Sequence, residues 1–104
     1  MDMIGPLQLR CMHYIWKAGP STVHQVHDAL CKEKGAPKLA YTTILTVMRN
    51  LARRKILDQK PNGRSHIFVP LVDEKTYTSQ VLAFVRDSYF QGDAKAMVRA
   101  VQAL

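Results

Sequence analysis

The sequence contains no apolar run that approaches the roughly 18 residues of a membrane span, and its start lacks a basic segment followed by a long apolar one. We therefore expect no membrane insertion and a cytoplasmic location. Only two cysteines occur, Cys11 and Cys31, each inside a helix-like stretch. So few thiols favour reduced side chains over a disulfide framework. Low-complexity tracts and internal repeats are missing as well, which argues against a disordered or repetitive protein.

Arrangements typical of catalysis are equally scarce. The sequence has no clustered carboxylate pair, no glycine-rich phosphate loop and no nucleophile at a recognisable spacing from a base, so we expect neither an enzyme nor a bound cofactor. Three potential metal ligands, His24, His27 and Cys31, are spaced three and four residues apart. Because three ligands on one helix rarely converge on one ion without a second segment, we predict ordinary half-exposed side chains rather than a metal site.

Positive charge, in contrast, is abundant and unevenly distributed. The net charge is +7 at pH 7, and residues 1–72 contain eleven Lys or Arg against four Asp or Glu. Residues 73–104 contain four basic and four acidic residues and are therefore neutral. The first part is the candidate for contact with a polyanion, although an acidic protein or a membrane surface would attract the same charge. We accordingly predict a basic domain at 1–72 and a separate segment at 73–104.

Two helices are predicted at the start of the basic domain. The first has an apolar pattern near the helical period and stops at Ala18-Gly19-Pro20. The second begins at Thr22, three residues before Gln25, which is the spacing of a capping box. Gly35 and Pro37 then break the chain and end the second helix.

A third helix is predicted from Ala40 to Arg54. Its buried face is an apolar stripe of Ile44, Val47, Met48 and Leu51. Opposite that stripe, spacings of four, three and four place one exposed ridge on the helix, formed by Thr42, Thr46, Arg49 and Arg53. Short polar side chains and forked guanidinium groups are what major-groove reading requires, although an ordinary solvated helix face would show the same periodicity.

A β-hairpin is predicted after this helix. Ile56 and Leu57 begin a strand, Pro61-Asn62-Gly63 supplies a turn, and His66–Pro70 forms the returning strand. The fold class is therefore mainly α with a small β-hairpin. Three helices followed by a hairpin form a winged helix-turn-helix domain, in which the third helix enters the major groove and the hairpin, or wing, contacts the flanking backbone.

The predicted DNA-binding residues fall into two groups. The first part of the third helix is expected to read bases through Thr42, Thr43, Thr46, Arg49 and Asn50. The end of that helix and the wing are expected to contact phosphate through Arg53, Arg54, Lys55, Lys60 and Arg64, with His66 beside them. Thr22 and Tyr41 complete the predicted set. Six of the eleven basic residues of the domain lie between Arg49 and Arg64, where only one acidic residue opposes them.

Residues 73–104 return to a helical pattern with a break at Gly92-Asp93. A neutral, apolar segment attached to a basic domain could cover that domain's core, but we favour pairing of two subunits. The predicted dimerisation residues are Val81, Leu82, Val85, Tyr89, Phe90, Met97, Val98 and Val101. Because no capping signal precedes Leu104, we expect the native chain to continue further.

The segment Leu39–Leu51, LAYTTILTVMRNL, resembles the penicillinase-repressor family, also called the BlaI/MecI/CopY group. The resemblance spans almost the whole sequence. GPLQL at residues 5–9 and Ile15-Trp16 are similar to the opening helix of that family, TVHQV at residues 22–26 to its second helix, and GRSH at residues 63–66 to its wing.

This resemblance implies a homodimeric repressor whose winged helix binds dyad-symmetric promoter operators with TACA/TGTA-like half-sites and whose C-terminal helices form the dimer. It also implies control of β-lactam resistance, copper homeostasis or a related stress regulon. In antibiotic-responsive members a membrane sensor protease, a further implied partner, cuts an Asn-Phe bond near the C-terminus. Here Arg99-Ala100 stands at the corresponding place, and the cysteine-rich tail of copper-sensing members is absent.

A second class of function fits the same pattern of residues. A winged helix can serve as a protein-interaction module whose basic charge is incidental. Binding to duplex DNA distinguishes the two classes, because a repressor should prefer one sequence and should lose affinity steeply as salt increases.

Overall fold

The computed structural model describes residues 2–33, 35 and 38–104. Its elements, in chain order, are α1 (Pro6–Ala18), α2 (Val23–Cys31), α3 (Tyr41–Arg53), β1 (Leu57–Asn62), β2 (Ser65–Pro70), α4 (Glu74–Tyr89) and α5 (Ala94–Gln102). They form two structural units. One comprises Ile4–Asp73, and the other comprises Glu74–Leu104 with Asp2 and Met3. Among the described residues, none of the helices combines the length and apolar character that a membrane crossing requires.

Local signals explain the first two helices. Pro6 occupies the first turn of α1, where its fixed φ suits a helix, and the helix ends at Gly19, whose φ is +87°. At the start of α2, Thr22 Oγ1 accepts from the Gln25 amide at 3.2 Å, and Gln25 Oε1 accepts from the Thr22 amide at 2.9 Å. The predicted capping box is therefore formed. α2 ends at Cys31, while Pro37, the predicted breaker, lies outside the described residues.

The core of the first unit lies where α1, α2, α3 and the hairpin meet. α3 packs against α1, α2 and β1, and its contribution to the core is Ile44, Met48 and Leu51. Phe68 from β2 and Leu57 from β1 are almost completely buried as well. The prediction that Val47 is equally buried is wrong, because Val47 is only half-buried. It lies at the edge of the apolar stripe, beside the polar flank that carries Asn50.

The first strand of the hairpin begins one residue later than predicted, the returning strand begins one residue earlier, and the turn lies at a different place. The strands are antiparallel, with Leu57 opposite Pro70 and Asn62 opposite Ser65, so the loop consists of Gly63 and Arg64. The prediction of a turn at Pro61-Asn62-Gly63 is therefore wrong, since the first two of these residues belong to β1. Gly63 has a φ of +63° and Arg64 does not have a positive φ, a combination that suits a two-residue type II′ loop.

The base of the hairpin is tied to the connection between α1 and α2. The Ser21 amide donates to the Phe68 carbonyl at 3.0 Å, and the Phe68 amide donates to the Ser21 carbonyl at 2.8 Å. Trp16 Nε1 also donates to the Val72 carbonyl at 2.9 Å, which holds the chain beyond β2 against α1. The wing is therefore fixed at the end that lies farthest from its Gly63-Arg64 loop.

The second unit contains α4 and α5. Gly92, with a φ of +83°, separates the two helices, and Asp93 caps α5 by accepting from the Ala96 amide at 3.0 Å. The predicted break at Gly92-Asp93 is confirmed. All of α5 is described, and no residue of it is buried.

Candidate nucleic-acid interface

The polar face of α3 is turned outward because its apolar face is fixed in the core. Ile44, Met48 and Leu51 are completely buried. On a helix, residues opposite this stripe must then face away from the core. The predicted ridge is indeed exposed along its whole length, at Thr42, Thr46, Arg49 and Arg53. Thr43 and Arg54 are exposed as well, whereas Asn50 is half-buried on the flank.

One hydrogen bond within α3 changes what Thr46 can offer to a ligand. Thr46 Oγ1 donates to the Thr42 carbonyl oxygen at 2.9 Å, one helical turn earlier. A threonine hydroxyl has a single proton, so this bond uses its whole capacity to donate. Thr42 lies in the first turn, where no carbonyl of α3 is four residues behind it.

A second hydrogen bond joins two of the predicted contact residues. Arg53 Nη1 donates to Asn50 Oδ1 at 2.9 Å. Bidentate recognition of adenine by Asn would need this oxygen as an acceptor and the amide NH₂ as a donor. The bond therefore braces the Arg53 guanidinium against Asn50, and it competes with the adenine-reading role that the sequence suggests for Asn50.

The end of α3 carries exposed positive charge in an unusual backbone conformation. The Ile56 amide donates to the Leu51 carbonyl at 3.0 Å, and the Lys55 amide donates to the Ala52 carbonyl at 3.1 Å, which together form a Schellman motif. Lys55 has a φ of +64°, a value that glycine adopts at far lower cost. Lys55 is exposed and directly follows Arg53 and Arg54, so three cations end the helix.

The wing extends this positive surface. Lys60, Arg64 and His66 are all exposed, and Arg64 occupies the second position of the hairpin loop. Asp58, the one acidic residue between Arg49 and Arg64, has its carboxylate 4.0 Å from Lys60 Nζ. An exposed pair at this distance contributes little and leaves the wing predominantly basic.

Thr22 and Tyr41, the remaining predicted contacts, already have structural partners. Thr22 is half-buried and caps α2. Tyr41 is exposed at the first position of α3, and its ring meets that of His27 edge-on, with centroids 5.8 Å apart. His27 Nε2 lies 2.7 Å from the Leu39 carbonyl oxygen, which connects α2 to the residues just before α3.

The three potential metal ligands do not assemble into a site. Cys31 Sγ lies 3.4 Å from His27 Nε2, and both atoms approach the Leu39 carbonyl. His24 is exposed on the same helix. Across residues 2–33, 35 and 38–104, no group of three or more His, Cys, Asp or Glu side chains is placed to hold a metal ion.

The predicted dimerisation residues form much of an apolar surface on the second unit. Four are strongly exposed: Leu82 (50%), Tyr89 (70%), Val98 (54%) and Val101 (57%). The other four, Val81, Val85, Phe90 and Met97, are half-buried. An open groove of about 570 Å³ runs between α4 and α5, lined by Ser79, Leu82, Ala83, Arg86, Ala94, Met97, Val98, Val101 and Gln102. The small residues Ala83 and Ala94 also line the groove and are not among the predicted dimerisation residues.

Comparison with known proteins identifies the family. The profile described as Penicillinase repressor matches residues 4–103, nearly the whole chain. The chain belongs to the penicillinase repressor family. This family is one of transcriptional repressors rather than enzymes, in agreement with the expectation from the sequence.

Two relatives of this penicillinase repressor family member are proteins named transcriptional regulator BlaI, from two strains of Mycobacterium tuberculosis. Each is 36% identical over 72 residues, which covers 68% of this chain and 50% of the relative. The matched region therefore spans about half the length of these curated relatives.

Solved structures confirm the fold class. The solution structure of the DNA binding domain of the repressor BlaI matches with a TM-score of 0.62 and 27% identity, covering 72% of this chain and 88% of that one. A CopR repressor structure matches with a TM-score of 0.55 and 21% identity, covering 69% of this chain and 100% of that one, which supports the fold alone. The predicted winged helix-turn-helix is confirmed for this penicillinase repressor family member.

Proposed function

We propose that this chain is a sequence-specific transcriptional repressor that binds dyad-symmetric promoter operators as a homodimer. The observation that carries the proposal is the exposed face of α3, where threonines give way to arginines and then to the basic wing. Thr42, Thr46, Arg49 and Arg53 form its ridge, and only one acidic residue occurs between Arg49 and Arg64.

The proposed mechanism divides this surface by chemistry. The first turns of α3 enter the major groove, where short side chains and Arg49 meet base edges. Arg53, Arg54 and Lys55 at the end of α3, with Lys60, Arg64 and His66 of the wing, neutralise phosphates on either side. Tyr41 flanks the groove at the start of α3, whereas Thr22 acts mainly through the cap of α2. Occupation of a promoter by this surface represses transcription.

The proposed dimer uses the apolar surface of α4 and α5. Leu82, Tyr89, Val98 and Val101 expose about half or more of their accessible area, which is a large apolar surface for a unit of this size. A two-fold dimer would bury this surface and present two α3 helices to two half-sites. The groove between the two helices provides the concave part of such an interface.

Family membership supports a role in β-lactam resistance, copper homeostasis or a related stress regulon. A protein that binds promoter DNA would act in the cytoplasm. The bond that a sensor protease cuts in antibiotic-responsive members is not preserved in this chain. Arg99-Ala100 stands where antibiotic-responsive members carry Asn-Phe, and both residues lie within α5.

The decisive experiment is selection of duplex DNA from a random pool, followed by affinity measurements across a salt series. We expect a two-fold symmetric sequence, and a logarithm of affinity that falls by about 0.9 per phosphate contact with each unit of log salt. Arg64→Ala should weaken binding to selected and scrambled duplexes alike and reduce that slope. Equally weak binding to every duplex would refute the proposal and favour a protein-interaction module.

A further inference from the structure

The exposed threonines of α3 differ in whether their hydroxyl groups are free to donate a hydrogen bond to a ligand. Thr46 is a full turn into the helix, and its hydroxyl proton is held by the Thr42 carbonyl at 2.9 Å. Thr42 and Thr43 lie in the first turn, before any carbonyl of α3 could accept from them in the same way. Among the described residues, Thr46 is thus the threonine of this face whose hydroxyl is committed to its own helix.

This commitment restricts the bases that Thr46 can recognise. Guanine O6 and N7, adenine N7 and thymine O4 are acceptors in the major groove and need a donor from the protein. Thr46 has no second hydroxyl proton to give them while the bond to Thr42 persists. A base with only acceptors opposite Thr46 would therefore gain no hydrogen bond from it.

The same bond determines which part of Thr46 is presented outward. An oxygen 2.9 Å from a carbonyl of the preceding turn lies against the helix backbone. The other branch at Cβ is the γ-methyl group, about 120° away around the Cα–Cβ axis in a staggered rotamer. Since Thr46 is exposed on the ridge between Thr42 and Arg49, the methyl group is the branch left free to contact DNA.

We propose that Thr46 recognises thymine through contact between its γ-methyl group and the thymine 5-methyl group, with its hydroxyl serving only to fix the rotamer. This inference rests on the proposed function and names one element of its specificity. A methyl contact with thymine is an accepted mode of direct readout in the major groove. The back-bond contributes by holding χ1, so that the methyl group is already in place before DNA binds.

Two substitutions separate the methyl group from the hydroxyl. Thr46→Val keeps the γ-methyl group and replaces the hydroxyl with a second methyl group. Thr46→Ser keeps the hydroxyl, and with it the bond to Thr42, and removes the methyl group. Circular dichroism and thermal unfolding should show that both variants fold, because the position is exposed and the helix backbone is unchanged.

The matching change in DNA is replacement of each thymine of the selected site, one at a time, by deoxyuridine. At one thymine of a half-site, we expect this replacement to weaken wild-type binding about fourfold, the factor for one buried methyl-sized group. Thr46→Val should show the same loss at that position and nearly wild-type affinity for the unmodified site. Thr46→Ser should bind the unmodified site about fourfold more weakly and be insensitive to deoxyuridine there.

Two kinds of failure can be told apart. If wild type selects no sequence from the random pool, the proposed function itself is wrong. If wild type selects a site, but Thr46→Val loses affinity while Thr46→Ser retains it, the hydroxyl is the recognition group and the inference is overturned. Insensitivity of wild type to deoxyuridine at every thymine of the selected site also overturns it, with repression by this protein left standing.

Discussion

Arg53 and Asn50 are joined by a hydrogen bond from Nη1 to Oδ1 at 2.9 Å, on the face of α3 that we assign to DNA. The bond holds one edge of the guanidinium against the helix and leaves its remaining N–H groups for a guanine or a phosphate. We therefore propose that Asn50 acts by orienting Arg53 rather than by pairing with adenine.

This arrangement predicts strong coupling in a double-mutant cycle. Arg53→Ala should weaken operator binding about tenfold, and Asn50→Ala about threefold, in line with charge-assisted and neutral contacts. In the Arg53→Ala background, Asn50→Ala should have almost no further effect, because the group that it orients is gone. Operator affinities of the four proteins at one salt concentration provide the measurement. Additive losses would mean that Asn50 contacts DNA independently.

Lys55 should lower the stability of the fold while raising the affinity for DNA. Its left-handed conformation costs about 1 kcal/mol relative to glycine, so Lys55→Gly should raise the free energy of unfolding by about that amount. The same substitution removes a cation and should lower affinity for all duplexes, with a salt slope reduced by about one. Denaturant unfolding and a salt series measure the two effects.

Gln91 supplies a matched control for Lys55. It also has a positive φ, of 52°, but lies between α4 and α5 and carries no charge. Gln91→Gly should stabilise the protein similarly and leave the salt slope of DNA binding unchanged. Loss of stability in Lys55→Gly would show that the lysine side chain itself stabilises the end of α3.

The apolar surface of the second unit should control the oligomeric state. Val98 is 54% exposed and lines the groove between α4 and α5. Val98→Asp places a charge in the proposed interface, where it would lose hydration without gaining a partner. Sedimentation should show a shift from dimer to monomer, with operator affinity reduced at least tenfold. Ser88→Asp introduces the same charge on an exposed position of α4 that does not line the groove, and it should leave the dimer intact.

The two cysteines should differ in their effect on alkaline stability. Burial raises the pKa of the Cys11 thiol from 9.0 to about 11. Between these values the unfolded chain releases the proton while the folded chain retains it, so stability is complete below about pH 9 and falls as pH rises towards 11. Cys11→Ala should be less stable at neutral pH but should lose less stability over this range. Cys31→Ala, at an exposed position, should retain the wild-type dependence in denaturant unfolding measured at each pH.

Local sequence signals predict much of the fold. The capping box of Thr22 and Gln25 and the apolar stripe of α3 each follow from spacing that a helix imposes on any sequence. The sequence predicts the wing turn at the wrong place because Pro61 and Asn62 favour turns as strongly as Gly63 does. Pairing between the strands decides the register, and it moves the loop to Gly63 and Arg64.

Sequence patterns predict less about the hydrogen bonds of the candidate site. Periodicity identifies which residues of α3 share a face, but not which side chains bond to one another. The hydrogen bonds of Thr46 to Thr42 and of Arg53 to Asn50 depend on side-chain rotamers. The sequence does not determine these rotamers, because each side chain has several possible partners nearby. The residue type of Lys55 does not indicate its left-handed φ. The one sequence feature that indicates it is the apolar pair Leu51 and Ile56, whose spacing is that of a Schellman motif.

The two hydrogen bonds between Ser21 and Phe68 fix the base of the wing, so a small tilt of the hairpin there is amplified at its loop. From Phe68 to Arg64 the chain covers four residues, about 13 Å of strand. A tilt of about 10° at Phe68 would then move the Arg64 end by about 2 Å, more than the lengthening of about 1 Å that breaks a hydrogen bond to phosphate. Ser21 is not among the proposed DNA contacts, yet its placement would determine which phosphate the wing can reach.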